Sequence, residues 1–299
     1  MRLEAGTRVK LEVAREVSPH GYFLTDGAQD VLLHYSELEG EVAVGQQVDV
    51  FLFFDTEDRL AATMRTPLIS LGEVALLEVV DIHRRFGCFL EMGLGRNLLL
   101  PFRELPELPE LRPQVGDKVF VLLAHDRQGR LVAKLAGEPD LQPLCFHAPT
   151  SWKNTLVKGR VYKTLQIGTF VVCEGGVLGF GAIGMIHASE RTRLLRLGEQ
   201  VEVRVSYVRD DGKVNCTMRA PKEVGRDEDA ERLLQFLKER PNGSMPYSDE
   251  TPADLIFQRF KISKSAFKRA IGKLMKEGLV YQQGSWTHLK QEQDQQTGE

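Results

Sequence analysis

The sequence is short of cysteine. Its four, Cys88, Cys145, Cys173 and Cys216, are scattered and form no CxxC pair, which argues against a zinc site and against a disulfide framework. Long apolar runs are missing too. The longest stretch without a charged residue, 175–189, is too short and too rich in glycine to cross a bilayer. Arg2 and Glu4, with no apolar core after them, are not the pattern of a secretory signal. A reducing cytoplasm is the expected compartment and no membrane partner is expected. Neither sign of charge dominates: 39 Lys and Arg against 42 Asp and Glu leave a formal charge of −3. That excludes a uniformly basic chain whose whole surface attracts polyanions. Catalytic signatures are absent as well. There is no HExxH, no acidic metal cluster and no Ser or Cys with an evident base. The run Gly175-Gly176-Val177-Leu178-Gly179-Phe180-Gly181 has no Gly-Lys-Ser/Thr end, so it is not a phosphate loop. The expectation is a protein that is not an enzyme, with no cofactor, no metal and no small-molecule substrate. What remains, 42% hydrophobic and 27% charged, is a globular composition.

The chain repeats itself. One order of signals occurs three times. First comes a glycine-aromatic tetrapeptide: Gly21-Tyr22-Phe23-Leu24, Gly87-Cys88-Phe89-Leu90 and Gly168-Thr169-Phe170-Val171. An apolar run follows and ends near Ser or Arg and Glu, at Ser36-Glu37, Arg103-Glu104 and Ser189-Glu190. Then Gly45, Gly116 and Gly198 each open an alternating strand, and a hairpin closes the unit. Period-two alternation, as in Val201-Glu202-Val203-Arg204-Val205, supports strands. Five short antiparallel strands in about 65 residues can bury a core only by curling closed, as in the OB barrel. The predicted barrels span 1–68, 69–138 and 152–222. Residues 139–151, rich in proline, read as a linker that divides the first two barrels from the third.

Beyond residue 219 the period changes to that of helices. The pattern predicts helices over 230–240, over 249–260 with Ser248 as N-cap and Leu255, Ile256 and Phe260 on one face, and over 264–277 with Ser263 as N-cap and Gly278 as the stop. Two short strands flanking Gln282-Gln283-Gly284-Ser285 complete a winged helix-turn-helix over 227–290. The polar tail 291–299 is expected to fray. The predicted fold is thus mostly β with a C-terminal α/β module: three tandem five-stranded OB barrels, then a winged helix.

Charge is unevenly distributed. Residues 1–71 carry 6 basic and 12 acidic side chains, and residues 72–140 carry 9 and 11. Residues 141–225 carry 12 and 7, and residues 226–299 carry 12 of each. Phosphate binding needs cations, so the third barrel is the strongest nucleic-acid candidate and the first the weakest. In the last segment Lys261, Lys264, Lys268, Arg269, Lys273 and Lys276 cluster in the third helix region, opposite the apolar stripe Phe267, Ala270, Ile271 and Leu274. That is the helix a helix-turn-helix sets against nucleic acid. The third barrel and this helix are expected to make one composite site.

An OB barrel holds single strands by offering aromatic faces to bases and cations to the backbone. A bulge at Gly87 would bring Phe86 and Phe89 to one face, and the same device would join His20 to Phe23 and Ile167 to Phe170. His34 and His187 end the next strand. Arg59, Arg130 and Lys213 follow in the hairpins.

These motifs resemble the S-one RNA-binding domain of ribosomal small-subunit protein one. Three such units followed by a winged helix resemble the bacterial conserved virulence factor B (CvfB) family over residues 1–289. The resemblance implies RNA binding, a cytoplasmic setting and an indirect role in gene expression. It places RNA-facing residues at His20, Phe23, His34 and Arg59, at Phe86, Phe89 and Arg130, and at Phe170, His187 and Lys213. Pro101 stands where the second unit should have histidine, and the third unit is longer, with 17 positions from Phe170 to His187. The expected function is single-stranded RNA binding that affects gene expression post-transcriptionally, with the ribosome or RNA polymerase as further partners. A DNA-binding transcription regulator led by the winged helix, a protein adaptor on ribosome or polymerase, and a nuclease are the rivals.

Overall fold

The computed structural model describes residues 3–175, 180–220 and 222–290, with the backbone alone for 222–227. The glycine run at 176–179 and the tail 291–299 lie outside the described residues. The chain forms two compact units, Met1–Met218 and Arg219–Glu299.

The first unit holds the three repeats. In the first, β1 (Arg8–Val17), β2 (Gly21–Thr25), β3 (Asp30–His34), β4 (Gln47–Phe54) and β5 (Leu60–Thr63) close into a barrel in the order β1-β2-β3-β5-β4. The second comprises β6 (Val74–His83), β7 (Gly87–Glu91), β8 (Asn97–Pro101), β9 (Lys118–His125) and β10 (Leu131–Leu135). It keeps the same neighbours, but no ladder joins β8 to β10, so this barrel is an open five-stranded sheet, order β10-β9-β6-β7-β8. After α1 (Glu138–Leu141), the third barrel closes through β11 (Leu156–Leu165), β12 (Gly168–Cys173), β13 (Ala182–His187), β14 (Gln200–Val208) and β15 (Val214–Thr217). Inward-facing Val161, Val171, Val203 and Val205 fill its core.

The expected bulge at the repeated glycine lies elsewhere. The register shift falls on the preceding strand, between Val13 and Arg15, Val79 and Asp81, and Val161 and Lys163. The glycines answer to a different constraint. Gly21 and Gly87 have φ of +146° and +134°, and a Cβ there would sit 2.1 Å from the carbonyl oxygen of Leu33 or Leu100. Only glycine lets the strand approach its neighbour so closely.

The proline-rich segment 139–151 is packed rather than a free linker. Leu141 is fully buried among Phe120 of the second barrel and Tyr162, Val172 and Ile183 of the third. The prolines interrupt regular strands, but they do not stop the apolar residues between them from burying. Charge reinforces the junction. Arg196 donates to both carboxylate oxygens of Asp117, at 2.7 and 3.0 Å, and reaches Glu199 at 3.4 Å. Burial pushes the Glu199 carboxyl up, but bonds from Arg193 and the Arg196 backbone outweigh it and hold the group below its ordinary range. The second and third barrels therefore dock on each other. The first docks on the second, where Arg96 lies 3.9 Å over the Phe53 ring and reaches Glu37 at 3.4 Å.

The second unit contains α2 (Lys222–Lys238), β16 (Ser244–Met245), α3 (Ala253–Phe260), α4 (Lys264–Lys276), β17 (Val280–Gln283) and β18 (Trp286–Leu289), a winged helix. α2 starts before the apolar periodicity does. Ser263 caps α4, accepting from the Ala266 N–H at 3.2 Å, and Gly278 follows it at φ +74°. Ser248 is no cap: it is buried in a turn, its hydroxyl accepting from the Glu250 N–H, and α3 begins only after Pro252. Leu255 points outward, 48% exposed, because it stands five residues from Phe260, whereas Ile256 stands four residues from it and shares its buried face.

Candidate nucleic-acid interface

Strand pairing defines the candidate surface of the third barrel. Lys163 pairs with Phe170, Phe170 with Met185, Met185 with Asn215, and Asn215 with Tyr207. Directly paired residues point to the same side of a sheet, and Val171, Ile186 and Val214 on the opposite side are buried in the core. One row thus crosses five strands of the outer wall: a cation, a half-buried ring, a thioether, an amide and a 51% exposed phenol. His187 stands exposed two residues beyond Met185, and its Nδ1 is 2.8 Å from the Ser189 hydroxyl. Met185, His187, Ser206 and Asn215 line a cleft of about 430 Å³. Among the described residues Lys163 has no carboxylate at ion-pair distance. Sequence reasoning missed Lys163 and Tyr207. The signal for Lys163 was its place one turn before the Gly-x-Phe motif, matched by Arg15 in the first unit.

The same row in the first barrel is Arg15, Phe23, Leu32, Ala61 and Phe53. It is largely occupied. The Arg15 guanidinium lies 4.6 Å over Phe23 and pairs with Asp30 at 2.8 Å. At the other end Phe53 is buried under Arg96 of the second barrel. His20 and His34 are exposed and adjacent, because the Tyr35 N–H donates to the His20 carbonyl at 3.1 Å. In the second barrel the cation is replaced by an acid: Asp81 pairs with Phe89, and Leu99 and Pro101 complete an apolar face. Phe86, 52% exposed, stacks on His83 at 4.5 Å.

The three hairpin cations do not stand free. Arg59 binds Asp55 and Glu57 at 2.9 and 2.8 Å, and Arg130 binds Asp126 at 2.8 Å. Desolvation pushes the Asp126 carboxyl up, but hydrogen bonds from the Arg130 side chain and from the Arg130 and Gln128 N–H groups outweigh it and lower it. Lys213 is half-buried, 2.6 Å from Glu138 of α1 and 3.8 Å from Asp211. The start of α1 brings that acid to it, a pairing 75 residues distant in sequence. Phe170 also departs from a fully open platform. It leans on the junction cluster, with its ring 6.2 Å from Tyr162.

On α4 the apolar stripe Phe267, Ala270, Ile271 and Leu274 is buried as expected. Arg269 is exposed on the opposite side. Lys268 meets Asp249 at 3.5 Å, Lys273 meets Glu277 at 3.6 Å, and Lys264 donates to the Glu250 carbonyl at 3.3 Å. These exposed pairs are individually weak, about 0–1 kcal/mol, so a phosphate can compete for the lysines.

Among the described residues no three His, Cys, Asp or Glu side chains gather as a metal site. No helix there is long and apolar enough to cross a membrane. Burial pushes the Cys88 and Cys145 thiols up to about 11, which keeps both unreactive at neutral pH.

Comparison with known proteins matches four stretches of the chain. Residues 5–65 match the S1 domain, 75–134 the CvfB first S1-like domain, 142–220 the Virulence regulatory factor CvfB second domain, and 231–289 the CvfB-like winged helix domain. The chain is 39% identical to the YitL protein of Bacillus subtilis, over 96% of this chain and 94% of that one. It is 32% identical to Conserved virulence factor B of Staphylococcus haemolyticus, over 84% and 83%. A crystal structure from Streptococcus pneumoniae, described as a multidomain protein with nucleic acid binding domains, superimposes with a TM-score of 0.62 at 28% identity, covering 96% of this chain and 98% of that one.

Proposed function

This chain belongs to the conserved virulence factor B family, and from that premise we propose that it is a non-enzymatic, cytoplasmic protein that binds single-stranded RNA and acts on gene expression after transcription. The observation that carries the reading is the row Lys163, Phe170, Met185, Asn215 and Tyr207 across the third barrel. It offers a cation for phosphate, an amide for base edges and a phenol for stacking. The pneumococcal relative's description, with its nucleic acid binding domains, supports the same class of ligand. The third barrel and α4 supply the main contacts, since their segments hold 12 cations each against 6 in the first. Of the residues inferred from sequence, His187, Lys268 and Arg269 are retained for binding, and Lys264, Lys273 and Phe170 assist. His20, Phe23 and His34 of the first barrel and Phe86 and Phe89 of the second are secondary. Arg59, Arg130 and Lys213 hold their hairpins and junction.

The cationic outer side of α4 favours a second reading, duplex DNA binding by the winged helix. Competition separates the two. Labelled single-stranded RNA bound to the full chain should resist an equal concentration of duplex DNA at both low and moderate salt. Displacement by the duplex would make DNA the ligand. RNA binding no tighter than that of a charge-matched control protein would favour an adaptor.

A further inference from the structure

The wing carries a surface that the row on the third barrel does not explain. β17 and β18 pair Tyr281 with His288 and Gln283 with Trp286. Their inner side is settled: Val280 and Thr287 are buried, and the Thr287 hydroxyl donates to the Tyr247 carbonyl at 2.7 Å. The outer side carries Tyr281, His288 and Trp286 as a run of near-parallel rings. Tyr281 and His288 are 5.0 Å apart at 20°, and His288 and Trp286 are 6.4 Å apart at 22°. Ser244 of β16 fixes the middle ring, with its hydroxyl 2.8 Å from His288 Nδ1. Tyr281 is 42% exposed and Trp286 47%. Pairing continues one step past the strands, where the Lys290 N–H donates to the Leu279 carbonyl at 3.0 Å. Alternation then puts Lys290 on the ring-bearing side, and among the described residues of these strands that side carries no acidic residue.

Cross-strand ring pairs stabilise a ribbon by roughly 0.2–1 kcal/mol each. That accounts for the central contact. It does not account for a tryptophan left half open at the tip, where burial would contribute more. The occupant is set by shape and charge. An oriented ring stack with an open end face and a neighbouring cation fits a flat π-system joined to a phosphate. Inside a duplex the base faces are already covered by their neighbours, so away from duplex ends only an unpaired base can extend the stack.

We propose that the wing is a stacking platform for unpaired nucleotides, with a base continuing the Tyr281–His288–Trp286 stack and Lys290 meeting the adjoining phosphate. This rests on the RNA-binding reading and adds a further contact point to it. The chain has 2 tryptophans, so Trp152→Phe makes Trp286 the sole indole emitter of the full-length protein. Titration with oligouridylate and oligoadenylate should quench that emission saturably. Trp286→Ala should weaken RNA binding about 5- to 150-fold, the equivalent of one stacked base, and Tyr281→Ala should weaken it also. RNA bound with Trp286 emission unchanged would overturn the wing platform and leave the RNA reading intact. Equal quenching by blunt duplex DNA would overturn its preference for unpaired bases. No RNA binding at all would overturn both readings.

Discussion

Lys163 and Lys213 are both lysines of the third barrel, and their surroundings are opposite. Lys163 is exposed beside Phe170, while Lys213 is half-buried between Glu138 and Asp211. A cation already neutralised at the foot of α1 releases no counterion to a phosphate. Lys163→Ala is expected to weaken RNA binding and to lower the slope of log K against log salt by about 0.7, the contribution of one phosphate on a single strand. Lys213→Ala is expected to leave that slope unchanged and to lower the melting temperature by loosening the α1 junction. Parallel salt titrations and thermal melts of the two variants check both halves. The surroundings of Lys213 could not be read from its own neighbours in sequence. Lys213 occupies the hairpin position held by Arg59 and Arg130, but its partner is contributed by a segment 75 residues away.

At the scale of elements, α4 joins a buried stripe to a cationic outer side, and Ser263 fixes where it starts. Lys268→Glu with Arg269→Glu reverses charge on the outer side without touching Phe267 or Ile271. The double variant should bind RNA more weakly and with a flatter salt dependence; an unchanged slope would make α4 scaffold. The helices, the barrels and the wing hairpin were legible because each rests on a local period or turn signal. The row of the third barrel was not, for a physical reason. It exists only because β13 pairs in parallel with β15 and because a register shift between Val205 and Tyr207 turns Tyr207 to the outer wall. Barrel closure sets both, and no window of sequence contains them. The bulge was expected from the repeated glycine. It lies one strand earlier, because the glycine instead answers to a carbonyl 2.1 Å from its missing Cβ. Leu255 was misplaced on the inner face because it stands five residues from Phe260, off the four-residue spacing that sets Ile256 beside it.

At the scale of the first unit, three copies of one barrel have diverged by what covers their outer walls. The first has its row closed off by Asp30 on Arg15 and by Arg96 over Phe53. The second carries Asp81 where a cation would stand. The third keeps Lys163, Asn215 and Tyr207 exposed. Docking of the first barrel on the second covers Phe53, whereas docking of the second on the third through Leu141 and Phe120 reaches only Phe170 of the row and leaves Lys163, Asn215 and Tyr207 exposed. The most direct measurement compares two double variants of the full chain by RNA titration at fixed salt. Lys163→Ala with Tyr207→Ala should weaken binding about tenfold or more, given roughly 1–3 kcal/mol for a stacked base and a further loss from the cation. Arg15→Ala with Phe23→Ala should change it by less than about threefold. The reverse order of effects, or equal losses from both, would contradict the assignment of the RNA site to the third barrel.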